Sequence, residues 1–385
     1  MSVAWAEARR RAHAAARPLP PIDLPLAVAA GATLAVPLRA ATPVPAFDCS
    51  AMDGYALGSL AGPWRVAGQI LAGRRAPGPL TADEATEVAT GAPVPPGTAA
   101  VLPYELAEWQ GDLLTAAKPP EPGRHLRRIG EDVPLGVDLA PAGMPVTPTV
   151  LGLAAAGGLD ELRVHPRPRV VALLTGDELV HAGGSGEPLV RDAVGPALPG
   201  WVSALGGDSQ PTGDVPDTDA VTLADAIDSA PADVVLTSGG AGAGPADLVA
   251  PALERLGARL VVEGVDVRPG HPQRLAALPD GRWLVALPGN PYAALVAALT
   301  LLGPLLAALA GRALPELPTG RLDAPPPPRG GITRILPVRR RPDGALEALD
   351  RDRPGNLWGP ALAEAFAVVP PGWAGEPVAL LAPPG

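Results

Sequence analysis

The sequence predicts a multidomain protein that combines an α/β domain with β-rich domains. Three observations lead to this fold class. The chain has 385 residues, more than one hydrophobic core usually supports. Continuous apolar runs end in Gly-rich turns, and the C-terminal part alternates polar and apolar residues around a turn signal. With 47% hydrophobic residues, the 52 prolines and 46 glycines indicate stiff connections in a globular chain rather than disorder.

The first 165 residues divide into three regions. Residues 1–44 begin with an Ala-rich helical stretch and continue as extended chain with several prolines. Residues 45–122 contain short β-like runs separated by Pro/Gly clusters, and residues 123–165 contain a predicted helix followed by a strand. The predicted elements are Trp64–Gly73, Ala85–Thr90, Ala99–Leu102, Val150–Ala156 (helix) and Glu161–His165.

The α/β stretch repeats one pattern three times. Val170–Leu174 ends in Thr175–Glu178, Val234–Leu236 ends in Thr237–Gly244, and Leu284–Leu287 ends in Pro288–Pro291. Such runs, followed by helices, predict a parallel sheet covered on both faces. Ligands bind such sheets beyond the carboxyl ends of the strands, so we expect the three turns to line one crevice.

Two further segments have a predicted structure. Ile332–Arg339 and Ala345–Leu349 flank Pro342-Asp343-Gly344, which predicts a hairpin in a small C-terminal β-barrel or sandwich. Tyr292–Gly311 is twenty residues long and uncharged, the length of a membrane span. Its Ala-rich composition and its place after a strand favour a buried helix that covers the sheet.

Charge and cysteine content exclude several classes of function. Forty acidic and 30 basic residues give a net charge of −10, and no basic stripe is present, so neither nucleic acid nor an anionic membrane is an expected partner. The single cysteine, Cys49, allows no internal disulfide and no zinc site of the usual spacing. Without a signal-peptide pattern near the N-terminus, we expect a cytoplasmic location.

Several segments carry residues suited to chemistry, each with a structural alternative. Phe47–Tyr55 concentrates rare residue types, but it could also be a turn that buries apolar side chains. Ser238–Gly244 could cradle a phosphate through backbone N–H groups, or could be a tight Gly-rich turn needed only for packing. The carboxylates of Asp53, Asp132, Asp177, Glu178 and Asp247 could be helix caps or surface charges, or could converge on Mg²⁺.

Six segments occur in an order that resembles one family, the MoeA-type molybdopterin molybdenumtransferases, to which the C-terminal part of gephyrin also belongs. They are Phe47–Tyr55, Thr90–Pro93, Gly130–Asp132, Thr175–Glu178, Ser238–Gly240 and Pro288–Pro291. The resemblance implies an elongated linker domain (1–44 and 123–165), an inserted β domain (45–122), a three-layer molybdopterin-binding α/β domain (166–312) and a C-terminal β-barrel (313–385).

The resemblance also implies an activity. The family inserts molybdenum from molybdate into adenylylated molybdopterin and releases AMP, with Mg²⁺ as cofactor. The family forms homodimers whose active site lies between the α/β domain of one subunit and the inserted domain of the other. A molybdopterin adenylyltransferase is a further expected partner.

Carried over by position, the resemblance implies two groups of site residues. The expected catalytic residues are Asp53, Asp132, Glu178 and Asp247, with Asp53, Glu178 and Asp247 as metal ligands. The expected cofactor-binding residues are Thr90, Gly91, Thr175, Gly176, Asp177, Ser238, Gly239, Gly240, Arg268, His271, Pro288, Gly289, Asn290 and Pro291. Because loop carboxylates are not core residues, Asp247→Ala should lower turnover by orders of magnitude with little change in the thermal midpoint.

The sequence departs from the family pattern where anions are handled. Gly242 and Pro245 replace a hydroxyl and a carboxylate, Val194 stands in place of asparagine, and Pro360-Ala361 replaces two serines. Arg268 and His271 replace two lysines, which makes one positive charge titratable. Three hypotheses remain at this point: an active molybdenum insertase, a non-catalytic molybdopterin-binding or scaffolding relative, and an unrelated activity on a pterin- or nucleotide-like ligand.

Overall fold

The computed structural model describes residues 2–76, 78–240, 247–324 and 331–384. Residues 241–244 of the predicted Ser238–Gly244 turn, including Gly242, lie outside these described residues, and so does Pro245.

The α/β domain is built around a mixed seven-stranded sheet. Its spatial order is Asp208–Ser209, Arg169–Thr175, Val234–Ser238, Trp283–Leu287, Arg274–Ala277 and Arg259–Glu263, and Gly213–Val215 also pairs with Arg169–Thr175. The predicted strands lie side by side and run parallel. The last two strands are antiparallel to their neighbours, so the sheet is not parallel throughout.

Side chains alternate between the two faces of this sheet and bury two apolar clusters. Val170, Ala172 and Leu174 join one cluster, and Val171 and Leu173 join the other. Helices cover both faces because continuous apolar strands must bury both sides. They are Leu198–Ala204, Ala220–Ser229, Val249–Arg255, Pro291–Ala297 and Gly303–Leu309, with the π-helix Ala298–Leu302 between the last two.

The predicted covering helix is deeply buried. Pro291–Leu309 is long and apolar enough to cross a membrane, yet 94% of its apolar window is buried inside the protein. This burial confirms the expectation of a core helix.

The N-terminal helix Trp5–Ala15 packs on this covering helix. Trp5 Nε1 donates to Thr300 Oγ1 at 3.0 Å in a buried contact, and Ala8 and Ala12 are fully buried in the same cluster. The preceding strand Val3–Ala4 pairs with Val265–Arg268, which in turn joins the C-terminal sheet. The N-terminal segment therefore contacts the α/β and C-terminal parts, whereas the predicted boundaries group it with the linker.

The inserted and linker parts contain short strands. A six-stranded sheet follows the order Ala107–Gln110, Leu113–Ala116, Trp64–Ile70, Glu84–Val88, Gly54–Leu57 and Ala100–Pro103, with a 3₁₀ turn at Tyr104–Leu106. Smaller sheets pair Leu126–Arg127 with Cys49–Ser50, Asp138–Ala140 with Leu38–Arg39, and Glu161–His165 with both Ile22–Pro25 and Thr33–Leu34. The predicted helix is present as Pro148–Ala156, and its N-cap Thr147 accepts from the Val150 N–H.

The C-terminal sheet draws strands from three regions of the chain. Its order is Val3–Ala4, Val265–Arg268, Thr333–Arg340, Ala365–Val369, Val378–Leu381 and Thr319–Gly320. Thr333–Arg340 also pairs with Leu346–Ala348, which confirms the predicted hairpin. A short helix, Trp358–Ala361, precedes Ala365–Val369.

Candidate functional site at the carboxyl ends of the central strands

The three predicted turns meet at one edge of the sheet. Leu174 is in register with Ser238, and Ser238 is in register with Leu287, so the strands end at the same level. Thr175 Oγ1 donates to the Ser238 carbonyl at 3.2 Å, and the Gly239 N–H donates to the Leu287 carbonyl at 3.2 Å. For the described residues, the prediction that these turns share one edge is confirmed.

Gly239 is required by the close approach of these turns. A Cβ added there would lie 2.6 Å from the Thr175 carbonyl oxygen, and its φ is +103°. Since its N–H already binds Leu287, that N–H is not the free phosphate donor that the sequence suggested. Ser238 is buried, and the buried Thr237 Oγ1 has no partner within the described ranges.

An acidic cluster follows the first central strand. Asp177 Oδ1 accepts the Asp217 N–H at 3.1 Å. Burial, and then the charges of Asp177 and Glu178, raise the pKa of Asp217. Asp217 Oδ1 is also buried, and it has no hydrogen-bond partner among the residues that the structure describes. Asp177, Glu178 and Asp217 are called the acidic cluster below, and their charges repel one another.

Asp217 is a site residue that the sequence analysis did not single out. It follows Gly213–Val215, a three-residue strand that pairs with Arg169–Thr175. So short a strand, with one apolar residue, lacks the periodicity that reveals the longer ones. Its only sequence signal is Val215-Pro216-Asp217, an acidic residue after a proline.

Asp247 does not belong to this acidic cluster. Both of its carboxylate oxygens bind the Arg274 guanidinium, at 2.9 Å and 2.7 Å, and the side chains are only 14% and 12% exposed. Asp247 Oδ1 also accepts the Ala250 N–H at 3.2 Å, near the start of helix Val249–Arg255. Asp247 is therefore one half of a largely buried ion pair, and its role in turnover remains a prediction.

A small cationic cavity lies beside the third turn. It has a volume of about 280 Å³ and is lined by Arg268, Gly270, His271, Pro288 and Asn290, among others. His271 Nδ1 is 2.8 Å from the Val265 carbonyl, so that nitrogen carries a proton. Within the described ranges, no carboxylate is ion-paired with Arg268 or His271. The cavity therefore offers positive charge to a ligand in a chain whose net charge is negative.

Asn290 and Pro291 form the helix start beside this cavity. Asn290 occupies the N-cap position and Pro291 the first helical position. The Asn290 side chain makes no capping hydrogen bond, although it lines the cavity. Its amide is therefore available to a ligand.

The remaining predicted residues lie in the inserted and linker parts. Asp53 is exposed, and its Oδ1 accepts both the N–H and the hydroxyl of Thr90, at 2.7 Å and 3.0 Å. Asp132 forms an ion pair with Arg127. Gly91 turns the chain with a φ of +77°. None of these residues lines the cationic cavity, so one chain does not bring all the predicted residues together.

Phe47–Tyr55 forms the junction between the linker and the inserted domain. Asp48 accepts the Ile129 N–H at 2.8 Å and binds Arg128 at 2.6 Å, and the Ile129 bond is the main reason its pKa is lowered. Cys49 is buried, which raises the pKa of its thiol. Gly54 permits a close strand pairing, since an added Cβ would lie 2.0 Å from the Leu102 carbonyl oxygen. The turn interpretation expected buried apolar side chains, but Phe47 is 49% exposed and Tyr55 is half-buried, whereas Cys49 is buried and Asp53 is exposed.

The described residues do not contain a preformed metal site. Within 2–76, 78–240, 247–324 and 331–384, no three or more His, Cys, Asp or Glu side chains are grouped closely enough to hold a metal ion. Asp53, Glu178 and Asp247 therefore do not converge within one chain. Their roles as metal ligands remain a prediction.

Two residues that depart from the family pattern, Val194 and Pro360, are buried. Val194 is 4% exposed and packs in the core, and its N–H binds the Asp192 carboxylate at 2.9 Å. Pro360 is buried within the short helix Trp358–Ala361, whereas Ala361 is exposed. The Val194 substitution thus fills the core instead of removing a solvent-facing group.

The fold and this edge define a multidomain ligand-binding protein, and comparisons with known proteins identify its family. Residues 3–158 match the MoeA N-terminal region (domain I and II), and residues 171–308 match a probable molybdopterin binding domain. Molybdopterin molybdenumtransferase 2 of Mycobacterium tuberculosis is 38% identical over 303 residues, which cover 72% of each chain. The Haemophilus influenzae molybdopterin molybdenumtransferase is 35% identical over 281 residues, 70% of this chain and 68% of that protein.

Structural similarity extends over the whole chain. The crystal structure of a molybdopterin biosynthesis MoeA protein from Pyrococcus horikoshii has a TM-score of 0.80 and 26% identity, and covers 100% of both chains. The chain belongs to the molybdopterin molybdenumtransferase family, whose members are transferases of molybdenum cofactor biosynthesis.

Proposed function

We propose that this protein inserts molybdenum from molybdate into adenylylated molybdopterin and releases AMP. The observation that carries the proposal is the single edge at which the three turns, the acidic cluster and the cationic cavity lie. Dianionic groups such as phosphate and molybdate need positive charge and hydrogen-bond donors. A pyrophosphate under cleavage also needs its charge neutralised.

At this edge, the residues of the cationic cavity would bind the substrate, and those of the acidic cluster would bind Mg²⁺. Arg268 presents a guanidinium that can bind two oxygens of one phosphate, and the His271 ring lies beside it in the cavity lining. The Asn290 amide and the buried Pro288 shape the neighbouring wall of the cavity. These groups would bind and orient the anionic end of the substrate, which lowers the entropic part of the barrier.

The acidic cluster fits Mg²⁺ as a partial ligand set. Mg²⁺ usually takes one or two carboxylates and completes its shell with water and substrate phosphates, so a preformed group of three protein ligands is not required. Glu178 and Asp217 are the carboxylates that would hold it, since Asp217 Oδ1 is buried and lacks a partner in the described part of the chain. When bound, the ion would supply charge neutralisation at the pyrophosphate.

We further propose that the complete site lies between two subunits of a homodimer. Asp53, Thr90 and Asp132 do not line the cationic cavity of their own chain, so a second copy is the simplest way to bring them to it. Complementation tests this arrangement. In a purified heterodimer of Asp53→Ala and Arg268→Ala chains, one site is intact and the other carries both changes, so turnover should be about half that of the wild type. Background turnover in the heterodimer would show that the site lies within one chain.

Turnover is tested with adenylylated molybdopterin, molybdate and Mg²⁺, with AMP release as the readout. Such a substrate is the product of a molybdopterin adenylyltransferase, the expected cytoplasmic partner. The proposal requires AMP release that depends on molybdate and is lost in Arg268→Ala. Tight binding of the substrate with AMP release at background would instead favour the non-catalytic molybdopterin-binding relative.

A further inference from the structure

A second cavity lies at the junction of the N-terminal helix, the covering helix and the last strand. It has a volume of about 520 Å³, within the range typical of small-ligand sites. Its apolar wall includes Leu205, Leu299, Pro304, Ala307, Leu317 and Leu380. It shares no lining residue with the cationic cavity at the strand ends.

Two arginines enter this apolar cavity. Arg9 is 7% exposed, lies over the Trp5 ring at 5.2 Å and donates Nη1 to the Leu299 carbonyl at 3.0 Å. Arg312 reaches the Leu205 carbonyl only at 3.5 Å, and its buried Nε has no partner among the described residues. Glu316 is the one acidic residue of the described lining, and it is exposed.

No counterion balances these guanidinium groups in the described part of the chain. The ion pairs of the protein do not include Arg9 or Arg312, and the nearby Arg167 adds a third positive charge. Burial lowers the pKa of Arg9 to about 10. Burial, followed by the charge of Arg167, lowers the pKa of Arg312. Unpaired buried charges are unfavourable, and an anion in the cavity would relieve both groups.

The backbone at Gly206 leaves room for the Arg312 guanidinium. Gly206 has a φ of +92°, and a Cβ added there would lie 2.1 Å from Arg312 Nη2. The glycine thus lets the guanidinium lie against the chain beside Leu205. His13 Nε2 lies 2.8 Å from the Arg312 carbonyl, so the N-terminal helix also holds this segment in place.

We propose that this cavity binds a small organic anion that carries one carboxylate or phosphate on an apolar body. Arg9 and Arg312 hold the anionic group, and the leucine, proline and alanine side chains contact the body. This site is independent of the proposed insertase chemistry, so failure of one proposal leaves the other standing.

Calorimetric titration of the full-length protein with four probes tests the proposal: octanoate, octyl phosphate, octanol and inorganic phosphate. Octanoate or octyl phosphate should bind with a Kd of about 1 mM or tighter, and comparison of the two identifies the preferred head group. Octanol and inorganic phosphate should each bind at least roughly tenfold more weakly, because octanol lacks the anionic group and inorganic phosphate lacks the apolar body. Equal binding of octanol and octanoate, or no binding of either anionic probe, would overturn the proposal.

Variants locate the binding site. Arg312→Gln and Arg9→Met should each weaken the preferred probe by roughly 10- to 100-fold, whereas Arg312→Lys should retain part of the affinity. Arg10→Gln is the matched control on the same helix, because Arg10 is exposed and paired with Glu7. Ala313→Trp fills the cavity from an exposed position and should block binding without touching the core. Wild-type affinity in Arg312→Gln or in Ala313→Trp would refute the assignment.

Discussion

The Asp247–Arg274 pair allows the sharpest test of the structure, through the stability of Asp247→Ala. The substitution leaves the Arg274 guanidinium, which is 12% exposed, without its bidentate partner, and removes the acceptor of the Ala250 N–H. Breaking one partner of a buried ion pair costs about 3–5 kcal/mol. Because both side chains keep some exposure, we expect a loss of about 3 kcal/mol.

This loss should be visible in thermal unfolding. For a domain of roughly 150 residues, 1 kcal/mol corresponds to about 2–4 °C, so the midpoint of the α/β domain should fall by about 6–12 °C. Differential scanning calorimetry of the variant and the wild type measures it. Asp138→Ala is a suitable control, since its pair with Arg39 is exposed on both sides and is worth about 0–1 kcal/mol.

Two outcomes distinguish this explanation from a purely catalytic role of Asp247. The double variant Asp247→Ala, Arg274→Met should regain much of the lost stability, because the unpaired charge is then gone. A midpoint within about 1 °C of the wild type, with AMP release lost, would show that the ion pair contributes little and that Asp247 acts in turnover.

The remaining predictions concern the acidic cluster and the cationic cavity. Asp217→Asn should raise the thermal midpoint at pH 7–8 and lower AMP release by roughly tenfold or more. A carboxyl whose pKa is raised by folding binds more protons in the folded state than in the unfolded state. The free-energy cost of ionising Asp217 in the folded protein therefore grows as pH rises above 3.8 and is absent below it. The stabilisation by Asp217→Asn should accordingly vanish near pH 3.5. His271→Ala should weaken AMP affinity because the ring lines the cationic cavity, whereas His271→Lys, which keeps a positive charge at that position, should keep or improve it. Wild-type affinity in His271→Ala would remove His271 from the site.

Much of the architecture could be predicted from local sequence patterns. Val170–Leu174, Val234–Leu236 and Leu284–Leu287 are apolar without interruption, and such runs bury both faces only in a sheet covered by helices. The turns after them had to lie at one edge because parallel strands point the same way. Pro342-Asp343-Gly344 likewise predicted its hairpin, since the turn geometry is encoded in adjacent residues.

Other features depended on partners far away in the chain. Asp247 looked like a free loop carboxylate until the fold brought it to Arg274, 27 residues later. Asp217 became a site residue only because a three-residue strand places it beside Asp177. The packing of the N-terminal helix on the α/β domain depends on Trp5, which donates to Thr300, 295 residues away.

The sequence by itself therefore determined the element types, the edge at which the turns meet, and the family. Periodicity and turn chemistry act over a few residues and are written directly into the chain. Only the tertiary structure decided which carboxylates are paired with arginines and which are left with an unpartnered oxygen. Those outcomes depend on burial and on charges brought together over long sequence distances, and no local pattern records either quantity.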